Sequence, residues 1–222
     1  IYSVNQSAPL HSFTKQNLTS KDKIVQAAQQ EFFQFGYTNV TVDQVAKAAG
    51  VSKKTIYQYF NSKEDIFWEI MLCRKNEKLE MFNEIYNLDV DFLEKMRLIG
   101  YRNAKDLCSS PILFLKDLRR NAPELSKKVE QMKREIAVKV FEDFYKRGLK
   151  ENYFRKDIPV DIVVEMYYSM MQHMFTIAIN SEKHSMEELY DYLSMIFFEG
   201  VFSREGFKKY NRLIEETEQD EN

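Results

Sequence analysis

Helix start and stop signals follow one another unusually closely after Thr41, and this spacing is the strongest constraint on the fold. Thr41 and Gln44 are spaced as a capping box, in which each side chain accepts a hydrogen bond from the other residue's backbone N–H. Gly50 supplies a left-handed stop, and Ser52 begins the next helix two residues later. Two short helices joined by a tight glycine turn form a helix-turn-helix, which the sequence predicts over residues 41–60.

Longer helices are predicted on both sides of this motif. The first begins at Thr19 or Ser20, where Asp22 can close a capping box on Thr19, and Gly36 provides its left-handed stop. Asn61 or Ser62 begins the helix that follows the motif. The residues predicted to point inward are Ile24, Ala28, Phe32 and Phe35 in the first helix and Val45, Ala46 and Ala49 in the second.

The rest of the chain favours helix as well. Six glycines and four prolines lie mostly at the ends of periodic apolar segments, and no Asn-Gly or Asp-Gly hairpin signal occurs. Pro123 suits the first position of a long helix that Gly148 would end. Further helical segments are predicted near 76–88, 91–107, 111–120, 160–180 and 186–202. The fold class is therefore all-α.

Charge is concentrated around the helix-turn-helix. The chain has 32 Lys and Arg against 34 Asp and Glu, so no global positive field draws it to nucleic acid or an anionic membrane. Residues 41–63, however, contain one acid, Asp43, and four lysines, at positions 47, 53, 54 and 63. Any polyanionic partner would therefore bind at this local basic patch.

The second helix of the motif has an outward face suited to DNA. Ile56 and Phe60 lie one turn apart and point inward. Lysine can reach guanine in the major groove, glutamine can pair with adenine, and Ser52 and Lys63 stand at helix starts that suit phosphate oxygens. Tri-helical units also occur in enzymes and adaptors, and lysines can simply form a solvated face. The outward residues are Lys53, Lys54, Thr55, Tyr57, Gln58 and Tyr59.

The stretch from Thr19 to Met71 closely resembles the DNA-binding domain of TetR/AcrR-type transcriptional regulators. It shares their Gly-Tyr after the first helix, Ala-Gly-Val-Ser at the turn, Thr-Ile-Tyr-x-Tyr-Phe, and Ser-Lys-Glu. Lys54 departs from the pattern, since many relatives have glycine or another small residue there, so the resemblance does not carry over an operator sequence. The resemblance implies phosphate contacts by Thr41, Ser52, Tyr57, Tyr59 and Lys63, and base-facing roles for Lys53, Lys54, Thr55 and Gln58.

Two C-terminal segments are apolar around most of their circumference. In the segment 160–180 the polar residues form one narrow stripe, and 186–202 behaves alike, so both need apolar partners on more than one side. An intermolecular helical bundle satisfies this need, and the resemblance likewise implies two C-terminal helices that pair across a two-fold axis. The predicted interface residues are Met170, His173, Met174, Leu189, Leu193, Ile196, Phe197 and Gly200.

These patterns predict a flexible leader (1–18), a helix-turn-helix domain (19–70), an effector-binding and dimerisation domain (71–208) and an acidic tail (209–222), whose last eight residues, EETEQDEN, are expected to be frayed. Two distant cysteines and isolated histidines predict neither a metal site nor a disulfide, and a cytoplasmic location follows. Carboxylates, Gln172 and His173 interrupt every run that could span a membrane.

No cofactor or catalytic motif is recognised, and three functional classes remain. The favoured one is a homodimeric repressor that binds a palindromic double-stranded DNA operator and is released by a small, mostly apolar effector. The second is a DNA-binding regulator that answers to a protein partner or acts as an activator. The third is a helical enzyme with an incidental tri-helical unit.

Overall fold

A computed structural model describes residues 19–108, 112–180 and 183–220, and the predicted leader lies outside them. The described residues form ten α-helices and no strand, which confirms the all-α prediction. The helices are α1 (Ser20–Phe35), α2 (Val42–Ala49), α3 (Lys53–Tyr59), α4 (Lys63–Tyr86), α5 (Phe92–Cys108), α6 (Ile112–Asn121), α7 (Pro123–Lys150), α8 (Val160–Asn180), α9 (Met186–Val201) and α10 (Arg204–Asp220).

The first helix begins as its sequence predicts, but its end differs in detail. Thr19 caps α1 and shares a capping box with Asp22. Gly36 adopts φ +86° and ψ 150°, a positive φ outside the left-handed helical region that was predicted. Phe35 was predicted to be buried and is instead half exposed. Tyr37 fills the interior here, because its ring packs against Phe32 at 5.3 Å between ring centroids.

The predicted segment near 76–88 belongs to α4, which runs unbroken from Lys63 to Tyr86. One other helix continues past its predicted end. Gly148 was expected to end α7, which continues to Lys150. A Cβ on Gly148 would lie 2.4 Å from the Phe154 ring, so glycine at this position permits close packing rather than ending the helix.

The acidic end of the chain is helical through Asp220. Helix α10 therefore includes most of the stretch 215–222 that was expected to be frayed. Earlier in the same helix, Tyr210 and Leu213 pack against the aromatic core of the preceding helices, and Lys209 pairs with Glu205 one turn away.

The chain divides into two compact units. The N-terminal unit comprises described residues 19–81 and 112–130, and the C-terminal unit comprises 82–108, 131–180 and 183–220. Helices α4 and α7 each contribute residues to both units. The boundary at 70 that the sequence predicted between two functional domains remains a prediction, because a division by contacts is not a division by function.

Aromatic rings form the core of the C-terminal unit. Phe92 stacks on Phe144 at 4.8 Å, and Phe141 stacks on Tyr167 at 3.9 Å, both between ring centroids. Phe154 forms an isolated antiparallel bridge with Phe202, which fixes the loop after α7 to the end of α9. These contacts place α5, α7, α8 and α9 around one continuous interior.

Candidate functional site

The helix-turn-helix is fixed by hydrogen bonds among its own side chains and backbone. The Thr41 N–H donates to Gln44 Oε1 at 2.8 Å, and the Gln44 N–H donates to Thr41 Oγ1 at 3.3 Å, so the predicted capping box is confirmed. Gly50 has φ +67° and ψ 31°, the left-handed conformation expected of the turn. Ser52 Oγ accepts the Thr55 N–H at 3.0 Å. The start of α3 therefore depends on local interactions alone.

Helix α3 buries one side and exposes the other. Ile56 and the following Phe60 are buried, as their spacing predicted. Tyr57 and Tyr59 are 49% and 48% exposed, unusually high values for aromatic side chains. Thr55 is half buried beside Ser52, and its hydroxyl lies 2.8 Å from Ser52 Oγ. The remaining outward residues, all exposed, are Lys53, Lys54 and Gln58.

The predicted lysines differ in what they contact. Lys53 Nζ lies 2.9 Å from Asp43 Oδ2, and this hydrogen bond raises the pKa of Lys53. Both side chains are exposed, so the pair contributes little to folding and is easily exchanged for another anion. Lys54 makes no ion pair or hydrogen bond with any residue that the structure describes. Its ammonium is therefore available to a partner.

Lys63 has a structural role that its sequence position did not indicate. Its Nζ donates to the carbonyl oxygens of Tyr37 at 2.9 Å and Val40 at 3.0 Å, and lies 4.4 Å from the Tyr37 ring centroid. Burial lowers the pKa of Lys63. Two of its three N–H groups thus hold the α1–α2 loop, and one N–H is left for the phosphate contact that the resemblance implied.

Asp117 of α6 also holds this loop, although it lies far along the chain from it. Its carboxylate accepts the Thr38 N–H at 2.9 Å, the Thr38 hydroxyl, and Asn121 Nδ2 at 2.8 Å. Burial alone would raise the pKa of Asp117, but these hydrogen bonds and one from the Tyr37 N–H outweigh it and lower the pKa. A Cβ on Gly36 would lie 3.1 Å from Asp117 Cγ, so glycine permits this approach.

Sequence reasoning missed Asp117, and no local signal could have identified it. Thr38 and Asp117 are 79 positions apart, and Asp117 stands in an ordinary amphipathic helix. Their contact depends on the packing of the unit, in which the ring centroids of Phe114 of α6 and Phe33 of α1 lie 5.0 Å apart. Helix α6 therefore positions the helix-turn-helix although it lies far from it in the chain.

The residues predicted for a subunit interface are divided between the core and the surface. Met174, Leu189 and Phe197 are buried within their own chain, and Met170 and Leu193 are half buried. His173, Ile196 and Gly200 are exposed. The two helices therefore turn only part of the predicted set outward.

An apolar surface remains on the outer sides of these helices. Tyr192, Ile196 and Gly200 recur every four residues along α9, and Ile196 is 63% exposed. On α8, Ile162 and Met166 are exposed one turn apart. We call these five residues the α8–α9 surface. Of these five, Ile196 and Gly200 belong to the interface set that the sequence predicts.

Within the described ranges, no helix is long and apolar enough to cross a membrane. In the same part of the chain, no three histidine, cysteine or acidic side chains are grouped so as to hold a metal ion.

Comparison with known proteins relates the chain to regulators of transcription. Residues 24–70 match the model of the bacterial regulatory proteins of the tetR family. An uncharacterized HTH-type transcriptional regulator of Bacillus subtilis, YhgD, is 38% identical over 80 residues, which cover 36% of this chain and 42% of that protein. The match thus spans less than half of that relative.

Two other similarities extend the comparison. IcaR of Staphylococcus aureus (strain Newman), a negative transcriptional regulator of the biofilm operon icaADBC, is 36% identical over 53 residues, covering 24% of this chain and 28% of that protein. The structure of FadR from Bacillus subtilis in complex with stearoyl-CoA has a TM-score of 0.64 at 22% identity, covering 80% of this chain and 97% of that chain. The second similarity concerns the fold.

The Asp117 contact makes stability depend on pH. Because the carboxylate has a lower pKa in the folded protein, its stabilisation is present above about pH 4 and is lost as the pH falls through the folded-state pKa. We expect Asp117→Asn to lower the free energy of unfolding by about 1–2 kcal/mol at pH 7, and the difference from wild type to shrink towards pH 3. Urea unfolding across this range measures it.

Asp89→Asn is the matched control, because Asp89 is an exposed acid in the loop after α4. It should change stability little at any pH, and hydrogen exchange at the Thr38 amide should accelerate only in Asp117→Asn. Equal effects of the two substitutions at every pH would show that the Asp117 contact is not what stabilises the loop.

Proposed function

We propose that this chain is a transcriptional regulator of the tetR family, and that it is a homodimeric repressor that a small, mostly apolar effector releases from a palindromic operator. One observation supports DNA binding above all others. Local caps hold α3 at its start, Ile56 and Phe60 anchor one side, and the opposite side presents unpaired Lys54 beside exposed aromatic and amide groups.

The chemistry of that face fits the major groove. Lysine can donate to guanine O6 and N7, and the Gln58 amide can pair with adenine. The hydroxyls of Tyr57 and Tyr59 can donate to phosphate oxygens, which position a protein without reading sequence. Lys54 and Gln58 would then carry base preference. Thr41, Ser52, Lys53, Thr55 and Lys63 complete the set proposed to contact DNA.

Dimerisation is proposed through the α8–α9 surface. A two-fold interface brings the same patch of both subunits together. The exposed row on α9 includes Gly200, which has no side chain and lets a partner helix approach closely. A Cβ on Gly200 would meet nothing within 4 Å in its own chain, so the space outside it is open. Met170, Met174, Leu189, Leu193 and Phe197 would support this surface from beneath, and His173 would lie at its margin.

The effector is proposed to bind in the C-terminal part of the chain. That a regulator of this fold can bind a small molecule is supported by FadR of Bacillus subtilis, which was solved with stearoyl-CoA, and repression is supported by the negative regulator IcaR. Two reading heads must match half-sites about 34–36 Å apart, so a small change in their separation weakens both contacts. Helix α4 contributes residues to both units without a glycine or proline, which suits it to transmit such a change.

Substitutions on α3 should separate phosphate from base contacts. We expect Tyr57→Ala to weaken binding to all duplexes about equally, whereas Lys54→Ala should also change the preferred bases, because a lost base contact costs about 1–3 kcal/mol at one position. Titration over a randomised duplex pool at fixed salt measures both effects. Lys139→Ala removes one exposed charge from α7 as a control. Unchanged base preference in Lys54→Ala would contradict its assignment.

Dimerisation should depend on Ile196. Ile196→Asp places a charge in the proposed interface while leaving the core intact, so we expect a folded monomer at micromolar concentration. Light scattering gives the mass, and circular dichroism confirms the helix content. Leu88→Asp, at an exposed apolar position of the loop after α4, should remain dimeric. A monomeric wild type, or a dimer that survives Ile196→Asp, would refute the interface.

If an effector controls this protein, binding of the effector should lower the affinity for DNA. A thermal-shift screen of lipophilic compounds identifies ligands, and each hit is then tested for release of DNA. A typical coupling of about 1–3 kcal/mol corresponds to a 5- to 150-fold loss of DNA affinity. Stabilising ligands that leave DNA affinity unchanged would argue against effector control and leave the DNA-binding assignment in place.

A further inference from the structure

A polar cluster lies inside the C-terminal unit, next to Met174, Leu189 and Leu193, which lie beneath the proposed subunit interface. Tyr190 of α9 is 2% exposed, and burial raises the pKa of its phenol to about 12. The polar side chains of Asn103 in α5, Ser194 in α9 and Tyr167 in α8 lie beside the phenol, and their hydrogen-bonding groups lower its pKa. Three helices thus bring four polar side chains together in the interior.

Two polar atoms of this cluster have unmet hydrogen-bonding capacity. Ser194 is 1% exposed, and its Oγ lies beside the Tyr190 phenol but makes no well-formed hydrogen bond with any residue that the structure describes. Within the same described residues, the Oδ1 atom of Asn103 is also buried without a hydrogen-bond partner. An unsatisfied buried polar atom is costly, so such atoms are rare and call for an explanation.

The surroundings of Tyr190 are apolar and adaptable. Met174 and Leu189 are buried against it, and Met171, Ile177 and Leu193 pack around this group. Methionine side chains adjust their shape to irregular neighbours. An apolar wall with a few converging polar groups is the usual construction of a small-molecule site. The cluster therefore combines apolar side chains with converging polar groups, as small-molecule sites do.

The unmet atoms indicate which group is missing. Asn103 Oδ1 can only accept a hydrogen bond, and Ser194 Oγ can accept one as well, so the missing group must donate. None of the four side chains is cationic, and the Oδ1 atom of Asp191, the next residue along α9, is also buried. An anionic head group would therefore be buried near a carboxylate and without a positive partner, which is costly.

We propose that Asn103 and Ser194 bind the polar head group of the effector, and that this group is an uncharged hydrogen-bond donor on an apolar chain, such as the hydroxyl of a long-chain alcohol. This inference rests on the proposed function, because it specifies the chemistry of the effector. The alkyl part lies against the methionines and leucines around Tyr190, and the hydroxyl donates to the unmet acceptors.

Matched ten-carbon probes test the head group. Calorimetric titration of the full chain compares 1-decanol with decyl methyl ether, which lacks the donor, and with decanoate and decylamine, which carry opposite charges. We expect 1-decanol to bind most tightly and the ether about 5- to 10-fold more weakly, as the loss of one net hydrogen bond predicts. Equal affinity for alcohol and ether, or tighter binding of either charged probe, would overturn the proposal.

Ser194→Ala separates a ligand contact from a structural role. Removing an unsatisfied hydroxyl should leave the melting temperature of the free protein unchanged or raise it, while 1-decanol affinity falls about 5- to 10-fold. Ser126→Ala, at a buried serine of α7 in the N-terminal unit, should leave 1-decanol affinity unchanged. Asn103→Leu removes the other acceptor and provides an independent variant. Wild-type 1-decanol affinity in either cluster variant would overturn the proposal and indicate that water satisfies these atoms.

The outcomes also distinguish this inference from the proposed function. If 1-decanol binds as expected but the protein fails to bind any duplex in the randomised pool, the regulator assignment fails and the site stands. If none of the ten-carbon probes binds while another compound releases DNA, the head-group assignment fails and ligand-controlled regulation stands.

Discussion

The packing of Phe67 is the contact on which the helix-turn-helix unit depends. Its buried ring lies 6.4 Å from Phe32, 5.2 Å from Tyr37 and 6.2 Å from Phe114, between ring centroids. It therefore joins α4 to α1, to the α1–α2 loop and to α6. Helices as short as α2 and α3 are unstable alone in water, so they need such a framework. Once it is packed, Asp117 and Lys63 can fix the loop that leads into α2.

The two units use polar groups in opposite ways. In the N-terminal unit, hydrogen bonds to Asp117 and from Lys63 hold the α1–α2 loop in one conformation. In the C-terminal unit, Asn103 Oδ1 and Ser194 Oγ are buried without a well-formed hydrogen bond to any residue that the structure describes. The proposed regulator would use the first arrangement to fix its DNA-binding face and the second to bind its effector.

The helix-turn-helix was predictable because its signals are local. A capping box needs residues three apart, and a left-handed glycine needs only its own backbone, so Thr41, Gly50 and Ser52 could be interpreted without knowledge of the fold. Errors arose where distant packing decides. Gly148 resembles a helix stop until Phe154 is seen against it, and Phe35 follows the apolar spacing of α1 although its side chain is half exposed.

The sequence by itself determined the helical class, the caps of the first three helices, the inward side of α3 and its excess of lysine. These follow from spacing over one or two turns, where backbone geometry leaves few alternatives. Tertiary structure alone decided that Lys63 and Asp117 meet at one loop, that Ile196 faces outward while Met174 faces inward, and that Asn103 joins Ser194. Such contacts join residues tens of positions apart, and only the packing of whole helices brings them together.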